Sequence, residues 1–256
     1  MEHVEPLLLA VLFGAALVAG CVDALAGGGG LITLPVLLLA QVPPVQALAT
    51  NKLQGSFGTL TSALSLHRRG LTSGVKLTVA FVFALVGSVA GAVAVQFVDK
   101  SALDVVVPVV LILIALYFLL VPAAGAIERK PRMGQGPFRS LVVPTIGFYD
   151  GALGPGAGSF FAMAGVSLRG QHLVAATAQA KVLNFATNIA ALAVFIVGGQ
   201  VVWLVGAVMV AGQVLGSLVG SFAVVKGGAR LIRPVVVTVC VTMVGHYLWQ
   251  KGIVGW

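Results

Sequence analysis

The stretches DALAGGGGLITLP, from Asp23 to Pro35, and DGALGPGAGSFFA, from Asp150 to Ala162, are two versions of one phrase. Each opens on an acid, reaches a glycine-rich cluster four residues later and continues apolar. Asp23 aligns with Asp150, and Gly27, Gly28, Gly29 and Gly30 align with Gly154, Pro155, Gly156 and Ala157, at a constant offset of 127. Lys52 then matches Lys181, and GSVAG at Gly87 to Gly91 matches GSLVG at Gly216 to Gly220, both at offset 129, so a two-residue insertion separates the copies. The chain is a duplication, and each copy contains one glycine-rich break.

The surroundings of the breaks set the solvent. Of 256 residues 59% are hydrophobic and 9% charged, with a mean hydropathy of +1.09. Water-soluble domains run about 25% charged, so most of this surface must meet lipid. At about 20 residues per crossing, the loops left over are too short for a separate catalytic, nucleotide-binding or nucleic-acid-binding domain.

Apolar runs punctuated by Gly, Pro and charge predict helices at about 6–24, 31–40, 45–66, 75–98 and 102–121, then at about 139–153, 159–168, 172–197, 201–225 and 231–250. The first run follows Glu2 and Glu5 without a basic leader or cleavage pattern and is expected to remain a membrane helix. The second member of each set is half the length of a crossing. It is expected to be a broken or re-entrant half-helix.

Cations orient the chain. Arg68, Arg69, Lys76, Arg129, Lys130, Arg132, Arg139, Arg169, Lys226, Arg230 and Arg233 all fall in loops that one side can share. If that side is the cytoplasm, only Lys100 and Lys251 lie outside, while Lys52 and Lys181 remain within the membrane. The net charge of +8 then reflects positive-inside bias and calls for no nucleic acid. The loop after the third segment is basic (His67, Arg68, Arg69), whereas its counterpart is the uncharged Gly198, Gly199, Gln200. Equivalent loops facing opposite sides are the mark of an inverted-topology repeat, an architecture of secondary transporters. The expected organisation is an all-α integral membrane protein of two inverted repeats of about five segments. Residues 1–122 and 139–256 form the repeats, joined by a cytoplasmic linker at 123–138, in the inner membrane with both termini outside.

Three groups carry the chemistry. Non-helical backbone is tolerated in hydrocarbon only where it is buried or lines a cavity. The breaks therefore place the N-termini of two short helices, with Gly28, Gly29, Gly30 and Leu31 in one and Gly156, Gly158 and Ser159 in the other, where free N–H groups and the helix dipole favour an anion. The bland alternative is close helix packing through small residues.

Lys52 and Lys181 are the second group. A lysine at mid-bilayer costs about 2.5–3.5 kcal/mol on insertion scales. A role towards substrate competes with snorkelling and with a structural ion pair. Their neighbours Thr50, Asn51 and Gln54, and Gln179, Asn184, Thr187 and Asn188, form polar stripes, with Asn184 and Asn188 on the face of Lys181. Asp23 and Asp150 are the third group: proton relays, caps of the glycine turns, or partners of the two lysines.

The remaining polar residues point to no enzyme. Cys21 and Cys240 lie in apolar runs with no CxxC spacing, His246 has no ligand-spaced companion, and GxxxxGK[ST] is absent. No metal or other cofactor is expected.

The acid-plus-glycine breaks, Pro35 and the ALATNKLQGSFGTLTSA stretch from Ala47 to Ala63 resemble the TauE/SafE family of sulfite exporters and related permeases, over essentially the whole chain. The resemblance implies a transporter of small sulfur-containing anions such as sulfite, thiosulfate or an organosulfonate, by proton coupling or by simple downhill export. A homodimer is a candidate assembly. The second copy departs from the first at Pro155, Ala157, Ala162, Gln179 and Ala180, so the site is not symmetric. Taken together, Gly28, Gly29, Gly30, Leu31, Thr50, Asn51, Lys52, Gly156, Gly158, Ser159, Gln179, Lys181 and Asn184 are the expected substrate contacts, with Asp23 and Asp150 for proton coupling. A passive anion channel, a cation or metal permease and, third, a structural or receptor-like membrane protein are the rival readings.

Overall fold

The computed structural model describes residues 5–72, 77–99, 109 and 130–225, which are helical with no strand among them. Helices α1 (Pro6–Ala26), α2 (Gly30–Leu39), α3 (Pro44–Arg68) and α4 (Thr78–Gln96) come from the first copy. Helices α5 (Val143–Ala152), α6 (Ala157–Arg169), α7 (Leu173–Val197) and α8 (Trp203–Val225) come from the second. These match eight of the ten expected segments. Those expected at 102–121 and 231–250 lie outside the described residues.

Among the described residues four helices, α1, α4, α7 and α8, are long and apolar enough to cross a membrane. Helix α3 has 25 residues, ample length for a crossing, but carries Thr50, Asn51, Lys52, Gln54, Ser56, Thr59 and Ser62, all buried. Its polarity is turned into the protein. The outward faces are the reverse: Leu7, Val11 and Val18 of α1, Val82 and Val86 of α4, and Leu215, Val219 and Phe222 of α8 are exposed. Apolar outside and polar inside is the arrangement that lipid selects.

One boundary differs from expectation. The sixth segment begins earlier, at Gln135, and passes through a π-helical turn, Phe138–Val142, before α5. Pro144 has no N–H to return to the carbonyl of Ser140, and the wider turn ends just ahead of it.

The halves interlock crosswise. The most extensive contacts are α1 on α8 and α4 on α5, each joining the first helix of one half to the fourth of the other. Glycines set how close they come. A Cβ at Gly216 or Gly220 would overlap the carbonyl oxygens of Leu17 or Cys21, and one at Gly87 or Gly91 those of Pro144 or Phe148. The matched GSVAG and GSLVG stretches are thus packing faces, as small-residue stripes in membranes are. Helices α3 and α7 pack on each other at the centre and bring both polar stripes inside.

Candidate functional site

The first break is held by its own acid. Gly27 closes α1 at φ 78° and donates to the Asp23 carbonyl at 2.7 Å, and the Gly29 N–H reaches Asp23 Oδ1 at 3.4 Å. Gly28 accepts from the Leu31 N–H at 3.0 Å, which starts α2. In the second break Tyr149 donates its hydroxyl to Pro155 O at 2.5 Å, Gly156 stands at φ 76° and α6 begins at Ala157.

The two breaks touch backbone to backbone. A Cβ on Gly27 would strike the Gly158–Ser159 peptide, and one on Gly158 would lie 2.8 Å from Gly27 Cα and 2.7 Å from Asn184 Nδ2. Ser159 donates its hydroxyl to Ala26 O across the junction. Only glycine allows this approach.

The lysines face the acids of the opposite half. Lys52 Nζ lies 2.6 Å from Asp150 Oδ1, while Lys181 Nζ lies 3.2 Å from Asp23 Oδ2 and also donates to the Asp23 carbonyl. Both lysines are at most 1% exposed. Asp150 further accepts from the Thr187 hydroxyl. Each charge is taken from water together with its opposite, so the pairs satisfy charge at the centre of an apolar body and tie the halves together. Of the readings open for these residues, the ion pair is the geometry present.

A small, partly open polar cavity lies between the breaks and helices α3, α7 and α8. The breaks contribute Gly27, Gly30, Gly154 and Gly156, with Asp23 and Asp150 beside them. Asn51, Gln54, Gly55 and Thr59 come from α3, Asn184 and Asn188 from α7, and Gln213 from α8. Neither lysine is part of the wall. Their ammonium groups stand behind the carboxylates.

The cavity is rich in donors near the breaks. Gly30 opens α2 and Gly156 caps α6, so the two helix N-termini border the same space, with the N–H groups of Leu31, Ile32 and Ala157 already bonded to the carbonyls of Gly28, Gly29 and Gly154. Asn51 Oδ1 is occupied by the Thr33 hydroxyl at 2.7 Å and Gln54 Nε2 at 2.9 Å, which leaves its Nδ2 towards Gly30. Asn184 Oδ1 accepts from Asn188 Nδ2 at 2.9 Å, and its own Nδ2 lies against Gly158. Both asparagines therefore turn their N–H₂ groups to the breaks. These donors share the wall with the Asp23 and Asp150 carboxylates, whose charge is balanced by Lys181 and Lys52.

Of the expected contacts, Gly30, Asn51, Gly156 and Asn184 line the cavity, as do Asp23 and Asp150. Gly28, Gly29, Leu31, Gly158 and Ser159 shape the breaks behind the wall. Two residues stand apart. Thr50 accepts from the Val202 N–H at 3.1 Å, just ahead of α8, and Gln179 accepts from Gln171 at 2.9 Å. Sequence reasoning does not single out Gly55, Thr59 or Gln213. Gln213 had a signal, being the one amide side chain in the largely apolar α8.

Residues 12–247 match the family model described as "Sulfite exporter TauE/SafE". The chain is 46% identical over 250 residues to "Probable membrane transporter protein YfcA" of Escherichia coli (strain K12), covering 97% of this chain and 92% of the relative. It is 42% identical over 245 residues to "Probable membrane transporter protein" of Haemophilus influenzae, covering 96% of each chain. No solved structure matches it.

Proposed function

As the chain belongs to the TauE/SafE sulfite exporter family, and so is a multi-pass membrane transporter protein, we propose that it carries a small sulfur-containing oxyanion, outward from the cell, by alternating access at the cavity between its halves. The observation that carries this reading is the meeting of two helix N-termini and two inward-turned asparagine amides at one cavity. Sulfite, thiosulfate and organosulfonates present several acceptor oxygens to such a cluster. The family name supplies the sulfur.

The crosswise contacts support an inverted repeat. Helices α1 and α8 exchange places with α5 and α4, and Lys52 with Asp150 exchanges places with Lys181 and Asp23. Two bodies related in this way can rock about a fixed midplane site. In this reading the linker 123–138 is cytoplasmic and both termini are outside. The lysines balance the charge of the carboxylates instead of meeting the anion, and a coupled proton would pass through Asp23 or Asp150, which line the cavity.

Counterflow of radiolabelled sulfite into liposomes containing the purified protein tests the carrier mechanism. Uptake is expected to saturate and to accelerate when unlabelled sulfite is loaded on the far side. Linear flux without such acceleration would make the protein an anion channel.

A further inference from the structure

The cavity has a second end with the opposite chemistry. One turn along α3 from Asn51, Gln54 gives its Nε2 hydrogen to Asn51 and leaves Oε1 buried without a partner among the described residues. Gln213 of α8 lies flat over Gly58, where a Cβ would come within 2.5 Å of its Cγ and 2.6 Å of its Nε2, and its Oε1 is likewise buried and unpartnered. Gly58 is one helical turn beyond Gln54, so the two amides are neighbours on the same wall. Thr59 spends its hydroxyl hydrogen on Gly55 O at 2.7 Å, leaving only acceptor lone pairs for the cavity.

Gln54 and Gln213 are 1% and 2% exposed. A buried amide oxygen without a donor is costly, and two on one cavity wall mark the place where a ligand supplies the donor. Asparagine amides and the two ion-paired carboxylates stand near the breaks and the unpartnered amide oxygens further along α3, so an anion that the proposed function places here meets, at its far end, acceptors that call for a hydrogen of its own.

We infer that the transported anion is a monoanion bearing its own hydrogen-bond donor, either the acid S–OH of a protonated oxyanion or a hydroxyl on the carbon chain of a sulfonate, and that Gln54 and Gln213 select for that donor. The inference rests on the oxyanion reading above and narrows it. A site built to accept a hydrogen bond rejects the analogue that lacks it, because the acceptors are then left buried and bare. Anions without a donor should therefore be poor substrates.

Two isosteric pairs test this with the full chain in liposomes, by competition against the counterflow of labelled sulfite in mildly acidic buffer. The first pair is hydrogensulfite and methanesulfinate, in which a methyl replaces the hydroxyl on sulfur. The second is 2-hydroxyethanesulfonate and propane-1-sulfonate, in which a methyl replaces the hydroxyl on carbon. The donor-bearing member of at least one pair is expected to compete at least about tenfold more strongly, and the pair that shows the preference identifies where the donor sits. Gln213→Met and Gln54→Met, measured separately, should bring that ratio towards one.

Equal competition within both pairs, or an undiminished preference in both Met variants, would overturn the inference while leaving oxyanion transport standing. Absence of sulfite counterflow together with no evoked flux of any of the four anions would remove both readings. The wild-type comparison decides the matter even if a variant fails to fold.

Discussion

Replacing Lys52 by Met is expected to destabilise the protein by about 3–5 kcal/mol, the range for breaking a buried ion pair by removing one partner. Met keeps the length and apolar stem of the side chain, so the loss falls on the charge. Asp150 would remain almost fully buried with the Thr187 hydroxyl as its remaining side-chain partner. The double variant Lys52→Met with Asp150→Asn should recover most of that loss, because the neutral amide can still meet Thr187 and no bare charge is left inside. Unfolding in mixed micelles, with the wild type, both single variants and the double, forms a cycle whose coupling energy should reach a few kcal/mol. Lys181 and Asp23 should behave alike. A single Lys52→Met variant as stable as the wild type would show that the pair does not hold the halves together.

Gly27→Val is expected to be nearly as damaging, through backbone instead of charge. Gly27 sits at φ 78°, a left-handed conformation that costs an ordinary residue roughly 1–2 kcal/mol. Its Cβ would also land on the Gly158–Ser159 peptide, and overpacking adds about 1–3 kcal/mol. The variant should therefore lose about 2–5 kcal/mol and push the two breaks apart, so the yield of monodisperse protein on size exclusion should fall together with transport. Gly14→Ala is the matched control. Gly14 lies in the same helix with nothing within 4 Å of the added Cβ, and the change should leave stability equal or higher, by up to about 1 kcal/mol of helix propensity.

Much of this architecture is legible in the sequence because lipid imposes few options. Long apolar runs become helices, and Gly-rich phrases such as GGGG from Gly27 to Gly30 can only be breaks that are buried or that line a cavity. The polar stripe of Asn184 and Asn188 follows from helical spacing. What the sequence does not disclose is which partner a buried charge takes. Lys52 and Asp150 are 98 residues apart, and Lys181 and Asp23 are 158 apart. Nothing local distinguishes a lysine that meets substrate from one that meets the opposite half. The same distance hides Gln213, whose position opposite Gly58 exists only once α8 has packed on α3. Thr50 illustrates the converse error of proximity: two residues from Lys52, it faces out of the cavity to cap the start of α8.

On the proposed function, an oxyanion is received where the two helix N-termini meet. Currents on a solid-supported membrane carrying the protein in liposomes test it most directly, with sulfite, thiosulfate, sulfoacetate, sulfate, acetate and chloride applied in turn to the wild type and to Gly30→Val. In the variant a branched side chain occupies the mouth of α2, where even a Cβ would stand 3.3 Å from Pro155 Cα. Saturable currents evoked by one or more of the sulfur anions, and reduced at least about tenfold in Gly30→Val as expected when one polar contact of about 1.4 kcal/mol is lost, are the predicted result. No saturable current with any of the sulfur anions, or currents undiminished in a folded Gly30→Val variant, would contradict it.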